Sequence, residues 1–125
     1  MVQRLVIEGI FPGLNEIIAT AKKHWSAYAK EKKRLTGSVA LLAKVAQLKP
    51  VEGWVVVRFQ WYEKDRRRDP DNCRASAKFI LDGLVQAGVL EGDGWAVIHG
   101  LEDRFFVDKD RPRVEVEIEE VEGWR

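Results

Sequence analysis

The chain has 125 residues and a mass of 14.3 kDa, enough for one domain with a buried core. A composition of 46% hydrophobic and 33% charged residues excludes a disordered or collagen-like chain. The longest stretch without a charge has nine residues (35–43), well short of the about 20 that a spanning helix needs. The single cysteine cannot form an internal disulfide. Glu8 lies where an export signal would need its apolar segment. We therefore expect a cytoplasmic protein with one domain over residues 1–125.

The net charge is only +1, but charges of each sign are segregated along the chain. Residues 22–34 carry six Lys or Arg against one acid, residues 66–68 are all arginine, and residues 115–122 are rich in glutamate. Such basic clusters can present a positive face to a polyanion in a protein that is neutral overall. The alternative is that each run is only a solvated face, and charge alone does not decide between the two.

Hydrophobic periodicity predicts six elements, and their order indicates an α+β fold built on a mixed sheet. The fold has a long N-terminal helix and a second helix that follows an Asp-Pro-Asp-Asn motif. A break in the first helix is expected at residues 36–38, where a glycine stands between Thr and Ser. The predicted elements are a strand at 2–10, a helix at 14–48, a strand at 54–62, a helix at 72–87, a strand within 95–107 and a strand at 113–121.

Asp69 and Asp71 flank a single proline directly after the second strand. Because Pro70 fixes its own φ and restricts the residue before it, the two carboxylates cannot easily turn apart. Two negative charges about 4 Å apart repel by roughly 4 kcal/mol at a surface-like dielectric, a cost that is offset by a bound cation or by the arginines at 66–68. Mg²⁺ suits such a pair, since it prefers carboxylates, water and phosphate oxygens. The alternative is that Asp71 or Asn72 only caps the helix.

The second predicted helix places Asp71, Arg74, Lys78 and Asp82 along one polar stripe. On one interpretation Lys78 is a charge stabiliser or proton donor beside a metal, and on the other Lys78 and Asp82 form an ordinary i,i+4 ion pair on a solvent-facing helix. After this helix, Asp93 lies between two glycines, which lets the backbone approach a ligand closely but is also typical of a plain turn.

Three segments together resemble the RusA family of Holliday junction resolvases, which are small phage-type endodeoxyribonucleases. They are Arg-Arg-Asp-Pro-Asp-Asn (67–72), Lys-Phe-Ile-Leu-Asp-Gly-Leu (78–84) and Ala-Gly-Val-Leu-Glu-Gly-Asp-Gly-Trp (87–95). The opening Pro-Gly-Leu-Asn-Glu (12–16) is also similar to the Pro-rich start of that family. The resemblance implies a Mg²⁺-dependent nuclease, with Mn²⁺ as a substitute, that acts on branched DNA as a homodimer in recombination and repair.

The resemblance also implies roles for individual residues. Asp69, Asp71 and Asp93 would hold the metal, and Lys78 would complete the catalytic set by offsetting charge on the phosphate. The sequence departs from the family at Gly92, where an aspartate is common, and by three extra residues between Asn72 and Lys78. Arg74 therefore competes with Lys78 for the cationic role. DNA-binding candidates are Arg66, Arg67, Arg68, Arg74, Lys22, Lys23, Lys30 and Lys33, and supporting candidates are Asn72, Asp82 and Glu91.

A length argument concerns how Asp93 reaches the other acids. An unbroken helix over residues 72–87 would put Asp71 and Gly88 about 25 Å apart, whereas the five residues to Asp93 span at most roughly 17 Å. Asp93 of the same chain could therefore meet Asp71 only by near-full extension or if the helix starts late. The other solution is a homodimer in which Asp93 of one chain completes the site of the other, and twofold symmetry suits a four-way junction.

Two other functions remain open from sequence. One is a non-catalytic nucleic-acid-binding module, and the other is a nuclease that prefers flaps or other branches. The five tryptophans are expected in the core or an interface, with Trp95 also a candidate for stacking on DNA.

Overall fold

The computed structural model describes residues 1–122, with the backbone alone for residue 14. Trp124 therefore lies outside the described residues. The elements are β1 (Val2–Glu8), α1 (Leu14–Lys23), α2 (Trp25–Val45), β2 (Trp54–Glu63), α3 (Pro70–Cys73), a 3-10 turn (Arg74–Ser76), α4 (Ala77–Gln86), β3 (Ile98–Val107) and β4 (Arg113–Val121). No helix within residues 1–122 has the length and apolar character to cross a bilayer.

The four strands form one mixed sheet in the order β1-β4-β2-β3. β4 pairs antiparallel with both β1 and β2, whereas β3 pairs parallel with β2 and stands at the edge of the sheet. A bulge between Val55 and Val56 shifts the β2–β3 register near the start of β3. This architecture confirms the predicted α+β fold with a mixed sheet.

One face of the sheet is covered by α2 and α4. The alternation in β2 turns Val55, Val57, Phe59 and Trp61 inward, and each is at most 1% exposed. They belong to one hydrophobic core with side chains of both helices, including Val39 and Ile80 of α2 and α4 respectively. The helices approach so closely that a Cβ built on Gly83 would lie 2.5 Å from the Cβ of Val39.

The opposite face of the sheet is charged. Arg58 in β2 binds Glu117 at 3.1 Å and Glu119 at 2.7 Å in β4, and it lies 3.4 Å from Glu102 in β3. The glutamates of the acidic C-terminal run thus alternate with the buried Val114, Val116 and Ile118, as a strand with one wet face requires.

The helical regions differ from the prediction in where they break. The expected break at residues 36–38 does not occur: α2 runs through them, and the Ser38 hydroxyl donates to the carbonyl of Arg34 at 2.9 Å. The chain instead breaks at His24, where the backbone is extended (φ −159°, ψ 110°). The second helix is likewise not one rod, because the 3-10 turn separates α3 from α4. Both α2 and α4 stop within a few residues of the predicted ends, α2 at Val45.

Candidate active site

Asp69 and Asp71 lie at the start of α3, just beyond the end of β2. Pro70 occupies the first turn of the helix, where its missing N–H costs nothing. Asp69 stands at the N-cap position with extended backbone, yet its side chain makes no capping hydrogen bond. Asp71 accepts from the backbone N–H of Asn72 at 2.9 Å. Both carboxylates are exposed, so the cap alternative accounts for the position of this pair but not for the free oxygens of Asp69.

The segment that carries these acids is fastened to the loop between β1 and α1. Its side chains bind the backbone of that loop and of the first turn of α1, which holds the start of α1 and the start of α3 together. The contacts are Arg68 Nη2 to the Phe11 carbonyl at 3.0 Å, Asn15 N–H to Asn72 Oδ1 at 3.1 Å, and Ser76 Oγ to the Pro12 carbonyl at 2.5 Å.

Gly13 is where the loop before α1 comes closest to the segment that carries the acids. A Cβ built there would stand 2.4 Å from Arg68 Nη2 and 2.4 Å from Asn72 Oδ1, so a larger residue fits only if both side chains move. Arg68 also lies 3.4 Å from Glu63 and is only 19% exposed, so it belongs to these internal contacts. Arg66 and Arg67 are exposed. We call the contacts of residues 68–76 with residues 11–15 the motif brace.

Lys78 is the cation that the structure brings to Asp93. Its Nζ lies 2.5 Å from Asp93 Oδ2 and 3.0 Å from Asp82 Oδ1. Hydrogen bonding to Asp93, and then to Asp82, raises the pKa of Lys78, and the hydrogen bond from Lys78 lowers the pKa of Asp93. The i,i+4 pair expected on the helix is present, and the contact with Asp93 adds a partner distant in sequence.

Arg74 faces another carboxylate. Its Nε donates to Asp103 Oδ2 at 3.0 Å, and the second oxygen of Asp103 accepts from the Trp61 indole at 2.7 Å. The predicted stripe from Asp71 to Asp82 is therefore not continuous, since the 3-10 turn rotates Arg74 toward β3. Of the two competing cations, only Lys78 contacts an acid of the candidate metal set.

The return of the chain after α4 revises the length argument. Gly88 takes a left-handed conformation (φ 77°), and Val89 and Leu90 are buried at 2% exposure each. The chain thereby folds back along α4 and brings Asp93 to Lys78 at its first turn. The 3-10 turn interrupts the helix, and the chain after α4 reverses its direction, so Asp93 lies at the end of α4 that is nearer to α3. The residues from Gly88 to Asp93 therefore do not have to span the full length of the predicted helix.

Oxygen donors suited to a hard divalent cation are present at α3. Asp69 and Asp71 together with water and phosphate oxygens make the kind of set that Mg²⁺ takes. Among residues 1–122 of a single chain, no group of three or more His, Cys, Asp or Glu side chains is placed to hold a metal ion together. One chain brings Asp93 together with Lys78 and Asp82, and it does not gather Asp93 with both of the other acids.

A cleft of about 540 Å³ opens beside Asp69. Its walls combine charged groups of residues 63–69 with the aromatic side chains of Phe105 and Phe106 at the end of β3. Cys73 closes one side, and burial raises the pKa of its thiol to about 11. A protonated thiol at neutral pH is a packing group, in line with its position facing the Arg68 carbonyl.

The remaining expected residues lie on the surface. Lys22, Lys23, Lys30 and Lys33 are exposed on α1 and α2, and Glu91 is exposed on the loop after α4. Arg34 of the same basic run is bound to Glu31 at 2.7 Å, so its charge is locally compensated. Trp61 is buried as expected, whereas Trp25 and Trp95 are exposed.

Sequence reasoning missed Ser76 and Asp103. Ser76 is fully buried and binds the Pro12 carbonyl, and Asp103 joins Arg74 to Trp61. Neither residue sits in a motif, and their partners are 64 and 29–42 positions away in sequence, so no local pattern could have found them.

The fold and site define a two-layer α+β domain with exposed acids and a paired lysine beside arginine-rich surface. The family model of the RusA endodeoxyribonuclease matches residues 15–119, and the chain belongs to this family. It is thus an endodeoxyribonuclease, a hydrolase of a family of metal-dependent enzymes that resolve Holliday junctions. A search of curated proteins gave no significant match.

Proposed function

We propose that this protein is a Mg²⁺-dependent endonuclease that resolves four-way DNA junctions during recombination and repair, with Mn²⁺ able to replace Mg²⁺. The observation that carries the proposal is the exposed Asp69 and Asp71 pair, held on a short helix by the motif brace. A binding module would gain nothing from presenting two unneutralised acids where DNA phosphates must approach. We propose the cytoplasm as the place of action.

Asp69, Asp71 and Asp93 are the proposed metal ligands. The bound ion would supply a water of lowered pKa and stabilise the oxygens of the phosphodiester being cut. Lys78 would offset negative charge on the phosphate, a role that its 2.5 Å contact with Asp93 supports because it keeps the ammonium beside an acid of the set. Asn72 supports the acids indirectly, since its side chain fixes the start of α1 against α3.

The basic surface would hold the DNA backbone. Arg66 and Arg67 are exposed directly before the acids, and Lys22, Lys23, Lys30 and Lys33 extend the positive surface along α1 and α2. Phosphate contacts of this kind are independent of sequence and weaken steeply with salt. Arg68 and Arg74 are bound to acids of their own chain, so we assign them mainly to positioning.

The proposed assembly is a homodimer with sites shared between subunits. A junction is cut at two symmetric places, and a twofold protein matches that symmetry. The proposal is supported by the fact that one chain does not gather Asp93 with Asp69 and Asp71.

The test compares a labelled four-way junction with a linear duplex of the same sequence, each with Mg²⁺, Mn²⁺ or EDTA. We expect symmetric incisions near the branch that need the metal and disappear in Asp71→Asn. Asp110→Asn, which removes an exposed acid from the β3–β4 turn, is the matched control and should cut like the wild type. Binding of the junction without any metal-dependent cutting would refute the proposal. Faster cutting of a flap than of the junction would replace the junction by another branched substrate.

Sharing of sites is tested by mixing two inactive proteins. Asp71→Asn and Asp93→Asn chains, exchanged into heterodimers, should recover activity if Asp93 acts across the dimer. Exchanged heterodimers that stay inactive would show that each site is built from one chain.

A further inference from the structure

The outer edge of β3 is long, apolar and unpaired. β3 has ten residues and stands at the end of the sheet order, so within residues 1–122 no strand lies beside its outer edge. Its apolar residues at 101 and 105–107 are between 39% and 49% exposed. An edge of this length and composition invites pairing with another strand, and proteins usually shorten, charge or cover such edges.

We propose that this edge pairs antiparallel with the β3 edge of a second copy, about a twofold axis at Asp103. The inference rests on the homodimer of the proposed function and specifies how the two chains meet. A twofold axis perpendicular to the sheet keeps the faces of both sheets aligned, so residues whose numbers sum to 206 stand opposite each other. In this register Glu102 faces Arg104 of the second copy, and the pair occurs twice.

The side chains of β3 complement each other in this register. On the charged face, Glu102 meets Arg104, and Phe106 meets Gly100, where the missing side chain leaves room for a ring. On the helix-covered face, Leu101 meets Phe105. The two copies of Asp103 meet at the axis, but each is already paired with Arg74 and bonded to Trp61 of its own chain, so their charges are compensated.

The same register accounts for the shared site. The start of β3 in one subunit would lie beside the end of β3 in the other, with Ile98 near the second copy's residue 108. The loop before β3 carries Asp93, and the end of β3 lines the cleft beside Asp69. Edge pairing thus carries Asp93 of one subunit toward the cleft of its partner. The same loop holds Trp95, which at 95% exposure is the most exposed large hydrophobic side chain described.

The test uses two charge reversals. Each variant by itself should dimerise poorly, and a mixture of the two should dimerise normally. Glu102→Arg puts arginine opposite arginine, and Arg104→Glu puts glutamate opposite glutamate. Each variant alone should form a homodimer about tenfold weaker or more than the wild type, because both cross-strand pairs become repulsive. An equimolar mixture should dimerise like the wild type, since the heterodimer has two opposite-charge pairs. Sedimentation measures all three samples.

The mixture separates this interface from contacts inside one chain. Glu102 also lies 3.4 Å from Arg58 and 4.0 Å from Arg104 of its own subunit, and loss of those contacts cannot be repaired by mixing. Lys44→Glu, an exposed change on α2, is the control and should leave dimerisation unaffected. Single variants that dimerise as tightly as the wild type, or a mixture no tighter than its components, would overturn the interface. A wild-type protein that is monomeric while cutting junctions would also overturn it.

The heterodimer of the Glu102→Arg and Arg104→Glu chains also tests which chain supplies Asp93. In this heterodimer, Asp71→Asn on one chain and Asp93→Asn on the other should leave one active site, whereas both substitutions on the same chain should leave none. The reverse pattern would overturn the proposed placement of the Asp93 loop. Junction cutting by the unmodified wild type is measured in parallel, so loss of the interface is distinguished from loss of the nuclease function.

Discussion

Replacing Gly13 by alanine tests whether the motif brace is as tight as the structure indicates. The added Cβ would stand 2.4 Å from both Arg68 Nη2 and Asn72 Oδ1, far inside contact distance. Relief requires movement of both side chains, which sacrifices the hydrogen bonds to Phe11 and Asn15 at about 1 kcal/mol each. Overpacking adds roughly 1–3 kcal/mol. Because the clashing atoms are ends of side chains that can move, the overpacking cost stays near its lower limit, and we expect the free energy of unfolding to fall by about 3 kcal/mol in total.

The assay is urea unfolding at equilibrium, followed by circular dichroism, with junction cutting measured where the variant remains folded. Gly37→Ala is the matched control, because nothing lies within 4 Å of its built Cβ and alanine favours the interior of α2. The control should stabilise the protein by up to about 1 kcal/mol. A Gly13→Ala protein that loses less than about 0.5 kcal/mol, an ordinary surface effect, would refute the reasoning. Cutting should fall further than stability predicts, since the displaced residues flank Asp69 and Asp71.

Four other substitutions or reactions probe the site and the core. Lys78→Met should lower junction cutting about a hundredfold with a stability change under about 1 kcal/mol, measured by turnover and by urea unfolding, because its ion pairs are exposed. Asp82→Asn should raise the metal concentration that gives half-maximal cutting, because Lys78 then has only one acid left; an unchanged metal titration would contradict this. Gly83→Ala should cost roughly 1–3 kcal/mol of stability because the added Cβ would clash with the Cβ of Val39, and Val39→Gly, which removes that Cβ, should make the substitution less costly in a double-mutant cycle. The thiol of Cys73, with a pKa of about 11 raised by burial, should react slowly with a disulfide reagent until the pH approaches that value, and its contribution to stability should decline as the pH rises from 9.0 through about 11. Rapid reaction of folded protein at neutral pH would contradict it.

Strands β1, β2 and β4 were predictable because each has one buried face. In β2 the alternation of Phe59 and Trp61 with Arg58 and Gln60 is imposed by the core on one side and water on the other, so the pattern is written in the sequence. β4 shows the same alternation, with glutamates between its buried residues. The edge strand β3 shows this alternation less clearly because its apolar residues at 101 and 105–107 are exposed, and its limits could only be placed within residues 95–107.

Helix boundaries were less predictable for a physical reason. Gly37 and Ser38 have weak helix propensity, yet α2 continues through them because buried Leu35 and Val39 on either side pack against the body of the protein. Packing of this kind overrides propensities of about 1 kcal/mol. The break at His24 has no matching signal in its own residue type.

The candidate site likewise has one part that the sequence predicted and another that it could not predict. The resemblance selected Asp69, Asp71, Lys78 and Asp93 from local motifs, and the Lys78–Asp93 contact joins two of those motifs in space. The motif brace was not predictable, because it relies on backbone carbonyls of residues 11–12, and carbonyls carry no residue identity. Arg68 was expected to bind DNA since charge pattern cannot distinguish a solvated guanidinium from one bound to a carbonyl.

The two partners of Lys78 explain how Asp93 could accept a metal ion without expelling the lysine from the site. A divalent cation bound at Asp93 would repel the ammonium of Lys78, whose flexible stem allows it to move into solvent. Asp82 lies 3.0 Å from the same nitrogen and is not among the proposed ligands, so it can retain the ammonium when Asp93 turns to the metal. On the proposed mechanism, Asp82 would therefore keep the positive charge of Lys78 beside the phosphate. This is why loss of Asp82 should appear as weaker metal activation rather than as lost stability.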